Sequence, residues 1–81
     1  MEPDVWSSAV AETLRAERAA ARLSQQELAR RAGMPRPTYR RYESGERAPN
    51  LAQLAQIAAA LSMSLSEFAA RVEGRALRRD R

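Results

Sequence analysis

Arginine is the residue type in this sequence whose chemistry and spacing point to a ligand, and one group of arginines lies between residues 36 and 41. Arg36, Arg40 and Arg41 recur here at helical spacing. A guanidinium presents N–H donors in a fixed fork that fits phosphate oxygens and the O6 and N7 edge of guanine. Tyr39 and Tyr42 can turn to the opposite side of the same segment. The pattern predicts a helix with a cationic outer face, which suits the major groove of DNA.

The sequence has few residues suited to catalysis, metal binding or disulfide formation. The sequence contains no cysteine and no histidine, so disulfides, zinc knuckles and thiolate chemistry are excluded. The carboxylates are scattered, and no nucleophile–base pair, metal set or Gly-rich phosphate loop can be assembled from them. We therefore do not expect an enzyme, and we expect no metal and no cofactor.

Two short helices joined by a tight turn, over residues 24–45, would position these arginines. Ser24 as N-cap and Glu27 three residues later form a capping box. Gly33 can adopt φ > 0 and let the chain reverse. A residue before proline is pushed away from the α region. We therefore expect the second helix to start at Pro37, with Arg36 in the turn.

Hydrophobic spacing and capping signals predict three further helices. The first would begin near Ser7 or Ser8, and the patterns Asn50-x-x-Gln53 and Ser64-x-x-Glu67 mark the starts of the others. The uncharged fourth helix would be the core helix, and Gly74 would end the fifth. We predict an all-α, compact five-helix domain over residues 8–73, between an N-terminal arm (1–7) and a basic C-terminal tail (74–81). The inward stripe of the fourth helix is expected to be Leu51, Leu54, Ala55, Ala58 and Leu61.

Positive charge is concentrated on the two-helix segment. The chain has 14 basic residues, all of them arginine, against 10 acidic ones, for a net charge of +4. Residues 15–47 hold nine arginines and four glutamates, a local net charge of +5. This distribution is typical of a surface that binds phosphates. The alternative is a solvated surface of an arginine-rich composition.

The segment resembles the helix-turn-helix of the lambda-repressor-like (Cro/repressor) family, with matching residues from about 8 to 70. They are Arg18, Leu23-Ser24-Gln25, Glu27-Leu28-Ala29, Ala32-Gly33, Arg41, Glu43-x-Gly45, Pro49, Ala58-x-x-Leu61 and Ser64-Leu65-x-Glu67-Phe68. The resemblance implies the lambda-repressor-like fold, with the helix-turn-helix as helices 2 and 3. The sequence departs from the pattern of the family at Pro35 and Pro37, where small polar residues are usual.

The resemblance also implies which residues contact DNA. Arg36, Pro37 and Arg41 match the base-reading positions of the family, and Gln25 matches its phosphate-binding glutamine. Arg40 could read a base or bind phosphate, and we prefer phosphate. Phosphate contacts are further expected from residues within the motif and at its two ends, namely Ser24, Thr38, Ser44 and Arg47.

Arg18 calls for a partner. It continues the stripe of Leu14 at i+4, which places a guanidinium at the edge of the core. Glu43 is its natural partner, and the resemblance implies the same pair. We predict a structural salt bridge between Arg18 and Glu43.

The fifth helix carries an apolar stripe that could form a dimer surface or close the core of the domain, made of Leu65, Phe68, Ala69 and Val72. Trp6 could likewise pack on the core or lie at an interface. The leading hypothesis is a sequence-specific double-stranded DNA-binding transcriptional regulator, a repressor or autoregulator, acting as a homodimer on a near-palindromic operator. The alternatives are an antitoxin that binds its own operator and a toxin protein, and an adaptor that binds protein only. Without a membrane-length apolar run or a signal peptide, we expect a cytoplasmic protein with no membrane partner.

Overall fold

Five helices account for most of the chain. The computed structural model describes residues 3–79, and no strand occurs within them. The helices are α1 (Pro3–Ala20), α2 (Gln25–Arg31), α3 (Arg36–Ser44), α4 (Leu51–Ala60) and α5 (Leu65–Arg79). The predicted all-α five-helix fold is thereby confirmed. In this described part of the chain, none of the helices combines the length and the hydropathy needed to cross a bilayer.

Three helices begin with reciprocal capping bonds, as predicted. At α2, the backbone N–H of Glu27 donates to Ser24 Oγ (3.0 Å), and the backbone N–H of Ser24 donates to Glu27 Oε1 (3.0 Å). Each pair satisfies two N–H groups that a helix start leaves without partners. The same arrangement starts α4 and α5, through the pairs Asn50–Gln53 and Ser64–Glu67.

Three helix ends share one left-handed turn. Arg22 (φ 59°), Gly33 (φ 72°) and Ser62 (φ 60°) adopt positive φ. The N–H of the following residue then bonds to the carbonyl five residues before it, a C-terminal motif that satisfies a helix-end carbonyl. These bonds join Leu23 to Arg18 (3.2 Å), Met34 to Ala29 (3.0 Å) and Met63 to Ala58 (2.9 Å). The chain therefore reverses tightly before α2, α3 and α5.

The core draws large side chains from every helix. Its largest fully buried members are Leu14 of α1, Leu28 of α2, Tyr39 and Tyr42 of α3, Ile57 of α4 and Phe68 of α5. Helix α1 packs along α5 and against α3, while α2 packs against α3 and α4. The inner face of α3 is therefore fixed against the core, and its other face remains at the surface.

The outer helices are longer than predicted. Helix α1 begins at Pro3 rather than near Ser7 or Ser8, because proline is well accommodated at a first helical position. The predicted N-terminal arm was therefore wrong for residues 3–7, whereas Met1 and Glu2 lie outside the described residues. Helix α5 continues through Gly74 to Arg79, so most of the predicted tail is helical. Residues 80 and 81 lie outside the described part.

Contacts between α1 and α5 explain the continuation through Gly74. Ala76 is fully buried, and Arg75 Nη1 donates to the hydroxyl of Thr13 at 3.1 Å. Arg71 pairs with Glu17 at 2.5 Å, and Arg79 pairs with Glu12. Together these contacts outweigh the cost of about 1 kcal/mol for a glycine inside a helix.

Two further expectations about helix positions were wrong. Helix α3 begins at Arg36, one residue earlier than predicted, because Pro35 (φ −63°, ψ 144°) supplies the extended N-cap residue. Leu51 was expected on the inward stripe of α4 but is 69% exposed. As the first residue of the helix, it lies beyond the part that packs inward. Ile57 and Ala58 are the buried residues of α4.

Candidate nucleic-acid interface

The outer face of α3 presents four of the predicted contact residues. Tyr39, Tyr42 and Glu43 are buried on the inner side. Arg36, Pro37, Arg40 and Arg41 are all exposed. Three of these four, Arg36, Pro37 and Arg40, border one shallow cavity of about 290 Å³.

The arginines fall into two groups by their partners. Some bond within the fold, among them Arg15, Arg18, Arg71, Arg75 and Arg79. By contrast, the side chains of Arg36, Arg40, Arg41 and Arg47 form no hydrogen bond or ion pair with any residue in 3–79. Arginines that hold α1 in place are thus distinct from those that leave the α3 surface cationic.

Glu43, in the last turn of α3, is the centre of a buried polar network. Its side chain is 3% exposed. Arg18 Nε donates to Glu43 Oε2 at 2.5 Å, and Arg18 Nη2 donates to Oε1 at 3.1 Å. Gln25 Nε2 donates to Oε1 at 3.2 Å. Arg15, one turn before Arg18, donates to the backbone carbonyl of Glu43. The network therefore joins α1, α2 and α3, with Arg18 and Glu43 in a two-point ion pair.

The pKa of Glu43 reflects two opposing effects. Burial acts to raise the pKa of this carboxyl, but hydrogen bonds, chiefly from Arg18, outweigh it and lower the pKa. The Tyr39 hydroxyl lies near the carboxylate without reaching hydrogen-bond geometry. Burial, and then the neighbouring negative charge, raise the pKa of Tyr39. Glu43 therefore remains charged, and this charge holds Gln25 as well as Arg18.

The predicted phosphate-contacting residues differ in what they can offer. Arg47 is exposed and Thr38 is half-buried. The Ser24 hydroxyl accepts from the N–H of Glu27, so its own proton remains available to a phosphate. The Ser44 hydroxyl donates to the carbonyl of Arg41 at 3.0 Å, which uses its only proton. Ser44 is therefore the weakest donor of the set.

The predicted dimer stripe on α5 divides into two parts. Phe68 and Val72 are 1% and 7% exposed and close the core of the domain, so they are not themselves an open surface. Leu65 is half-buried and Ala69 exposed. All four line a groove of about 380 Å³ that Leu51, Leu54 and Trp6 also border, without any charged side chain. Leu51 was not among the residues predicted for this surface. Its position at the start of an uncharged helix was the available signal.

The described residues supply groups that can bind anions. Within them, no group of three or more His, Cys, Asp or Glu side chains could hold a metal ion. The exposed side of α3 supplies positive charge and N–H donors. Such a surface can bind an anionic polymer without changing it.

A short helix, a glycine-containing turn and a second helix with its polar face exposed define a helix-turn-helix protein. Residues 14–68 match the model of the HTH_3 family, described as helix-turn-helix, and the chain belongs to this family. The predicted family is thereby confirmed. The family and the fold are those of DNA-binding transcriptional regulators rather than of enzymes. None of the curated proteins compared with the chain matches it significantly.

Two solved structures are similar to this fold. The clp gene regulator ClgR from C. glutamicum superposes with a TM-score of 0.78 and 23% identity, over 85% of this chain and 90% of that one. An HTH_3 family transcriptional regulator from Vibrio cholerae gives a TM-score of 0.76 and 34% identity over 83% of this chain. The present chain covers 38% of the length of the Vibrio cholerae chain.

Proposed function

We propose that this protein is a sequence-specific double-stranded DNA-binding transcriptional regulator, acting as a repressor or autoregulator, that reads the major groove with α3. One observation carries the proposal. The exposed arginines of α3 have no partners within residues 3–79, whereas five arginines of α1 and α5 bond within the fold. A cationic helix anchored to the core by Tyr39 and Tyr42 can enter a groove as a rigid body.

The contacts divide into two kinds. Arg36 and Arg41 would read guanine, and Pro37 would touch a thymine methyl group. A good bidentate contact discriminates against the wrong base by about 1–3 kcal/mol. Contacts to phosphate, which set the register, would come from Gln25, Arg40 and Arg47, with smaller contributions from Ser24, Thr38 and Ser44.

A second copy of this chain is the proposed occupant of the apolar groove. The groove has no charged lining and is bordered by exposed Leu51, so a two-fold contact would bury apolar surface without desolvating charge. Leu65 and Ala69 would lie at this interface, with Phe68 and Val72 beneath them. Two α3 helices could then reach half-sites about 34–36 Å apart on a near-palindromic operator. A dimer bound over a promoter would repress it.

Selection from random duplex DNA, followed by titration of the selected site at two salt concentrations, tests the proposal. We expect a palindromic consensus that binds at least about 10³-fold more tightly than random duplex. The log–log salt slope should be several units, since each neutralised phosphate contributes about 0.9. Equal affinity for selected and random duplexes would contradict sequence-specific regulation. The arginines would then form a general phosphate-binding surface.

A further inference from the structure

The side chain of Gln25 makes a hydrogen bond to Glu43 that is separate from the salt bridge between Arg18 and Glu43. Arg18 already makes two hydrogen bonds to the carboxylate of Glu43. Gln25 adds a third, from Nε2 to Oε1 at 3.2 Å, although it belongs to a different helix. The Gln25 side chain is half-buried, so part of it remains at the surface.

The chemistry of the two groups fixes the orientation of the amide. A carboxylate only accepts hydrogen bonds, so Gln25 must turn its NH₂ group, and not its carbonyl oxygen, toward Glu43. That NH₂ group carries two hydrogens, and Glu43 takes one of them. The other is held in a fixed direction and can donate to a second acceptor.

We infer that Glu43 is a positioning residue for DNA binding, which orients the Gln25 amide so that its second N–H meets a DNA phosphate. The inference rests on the proposed function and deepens it. Because Glu43 belongs to the last turn of α3, the phosphate contact is tied directly to the helix that reads the bases. Glu43 therefore links one of the phosphate contacts that set the register to the helix that reads the bases.

Single neutral methylphosphonates, placed in turn along one half-site of the selected operator, test this coupling. In the wild type, we expect one position at which neutralisation weakens binding roughly tenfold, the loss of one hydrogen bond to a charged group. Gln25→Ala should abolish the effect at this position only. Glu43→Gln should reduce it severalfold, because a glutamine can also donate and so allows the Gln25 amide to turn over. The phosphate contacted by Arg47 should keep its full effect in Glu43→Gln.

Two controls separate positioning from stability. Ile57→Val removes a methyl group from the buried face of α4, so it should lower the melting temperature while leaving the methylphosphonate profile unchanged. Gln25→Asn keeps an amide but shortens it by one methylene, so it cannot reach Glu43 and the phosphate together. It should behave as Gln25→Ala, even if Glu43→Gln does not fold.

The possible failures are distinguishable. A full methylphosphonate effect in folded Glu43→Gln, or in Gln25→Asn, would overturn the positioning role while leaving specific DNA binding intact. A wild type without specific binding would overturn the proposed function and this inference with it.

Discussion

At the scale of single residues, the same arginine side chain has two separate uses in this molecule. Arg18 is held by Glu43 and by the carbonyl of Leu23 at 2.9 Å, and it joins helices. Arg41 is exposed and can exchange water for a base edge. What distinguishes the two is whether the fold supplies an acceptor, because a guanidinium without one remains available to a ligand.

Replacing Arg41 with alanine should separate base reading from phosphate binding. We expect Arg41→Ala to weaken binding to the selected site by about 1–3 kcal/mol, with little change on random duplex, because it removes a base contact. Arg47→Ala is the matched variant. It should weaken both complexes similarly and lower the log–log salt slope by about 0.9. Fluorescence anisotropy on both duplexes measures this, and equal losses for Arg41→Ala would assign Arg41 to phosphate.

Replacing Arg18 with alanine should destabilise the fold. The change leaves the buried Glu43 carboxylate without its main partner, which should cost about 3 kcal/mol. At about 4–8 °C per kcal/mol for a domain of this size, the melting temperature should fall by more than 10 °C. Arg71→Ala, which breaks the more exposed pair with Glu17, should lower the melting temperature far less, because exposed ion pairs contribute little to stability. Similar melting temperatures for both variants would show that the Arg18–Glu43 pair contributes little.

At the scale of the elements, left-handed turns carry the chain from one helix into the next. Gly33 suits such a turn because it has no Cβ, but Arg22 and Ser62 adopt positive φ with a side chain present. A left-handed conformation costs an ordinary residue roughly 1–2 kcal/mol. These two turns persist because the flanking Leu23 and Met63 pack on the core and the next helix is capped at once.

Replacing Ser62 with glycine should therefore stabilise the protein. We expect Ser62→Gly to raise the free energy of unfolding by about 0.5–1 kcal/mol, because the strain at φ 60° disappears while the unfolded chain gains some entropy. Thermal denaturation followed by circular dichroism measures the change. Ala70→Gly, at an exposed position in the interior of α5, should instead lower the stability by about 1 kcal/mol. A lower melting temperature for Ser62→Gly would contradict strain at this turn.

The starts of α2, α4 and α5 and the turn at Gly33 were predictable because their signals are local. A Ser-x-x-Glu pattern contains both partners of a capping box, and Gly33, which has no Cβ, can adopt the positive φ of its turn. The extents of α1 and α5 were not predictable from such signals, since pairing between Arg79 and Glu12 joins residues far apart in sequence. The hydrogen bond between Gln25 and Glu43 was not predicted, because Arg18 already provided a partner for the charge of Glu43.

At the scale of the whole molecule, stability should decrease in acid. The pKa values of Glu27, Glu43 and Glu67 lie below their ordinary value of 4.5 in the fold. The unfolded chain therefore binds more protons, and the stabilisation, present above pH 4.5, is lost as pH falls through the lowered values. The melting temperature should decline from about pH 5 to pH 3. Glu43→Gln should flatten this decline, and an unchanged acid profile would contradict the role of Glu43.

Dimerisation through the groove between α4 and α5 is also a property of the whole molecule. Replacing Leu51 tests it. Leu51 is 69% exposed at the first position of α4, where a negative charge favours the helix dipole, so Leu51→Glu should preserve the fold. In a two-fold interface the two new carboxylates would face each other in an apolar groove, at a cost of several kcal/mol. Dimer dissociation should become at least roughly a hundredfold easier by sedimentation velocity.

Leu77→Glu provides the control for this change. Leu77 is also exposed, at 51%, but it does not line the groove. It should therefore leave the oligomeric state and operator binding unchanged. Leu51→Glu should bind an isolated half-site as the wild type does, yet lose the tight binding to the full palindrome that a preformed dimer gives. If Leu51→Glu remains dimeric, the two copies meet at another surface, and the groove between α4 and α5 has a different occupant.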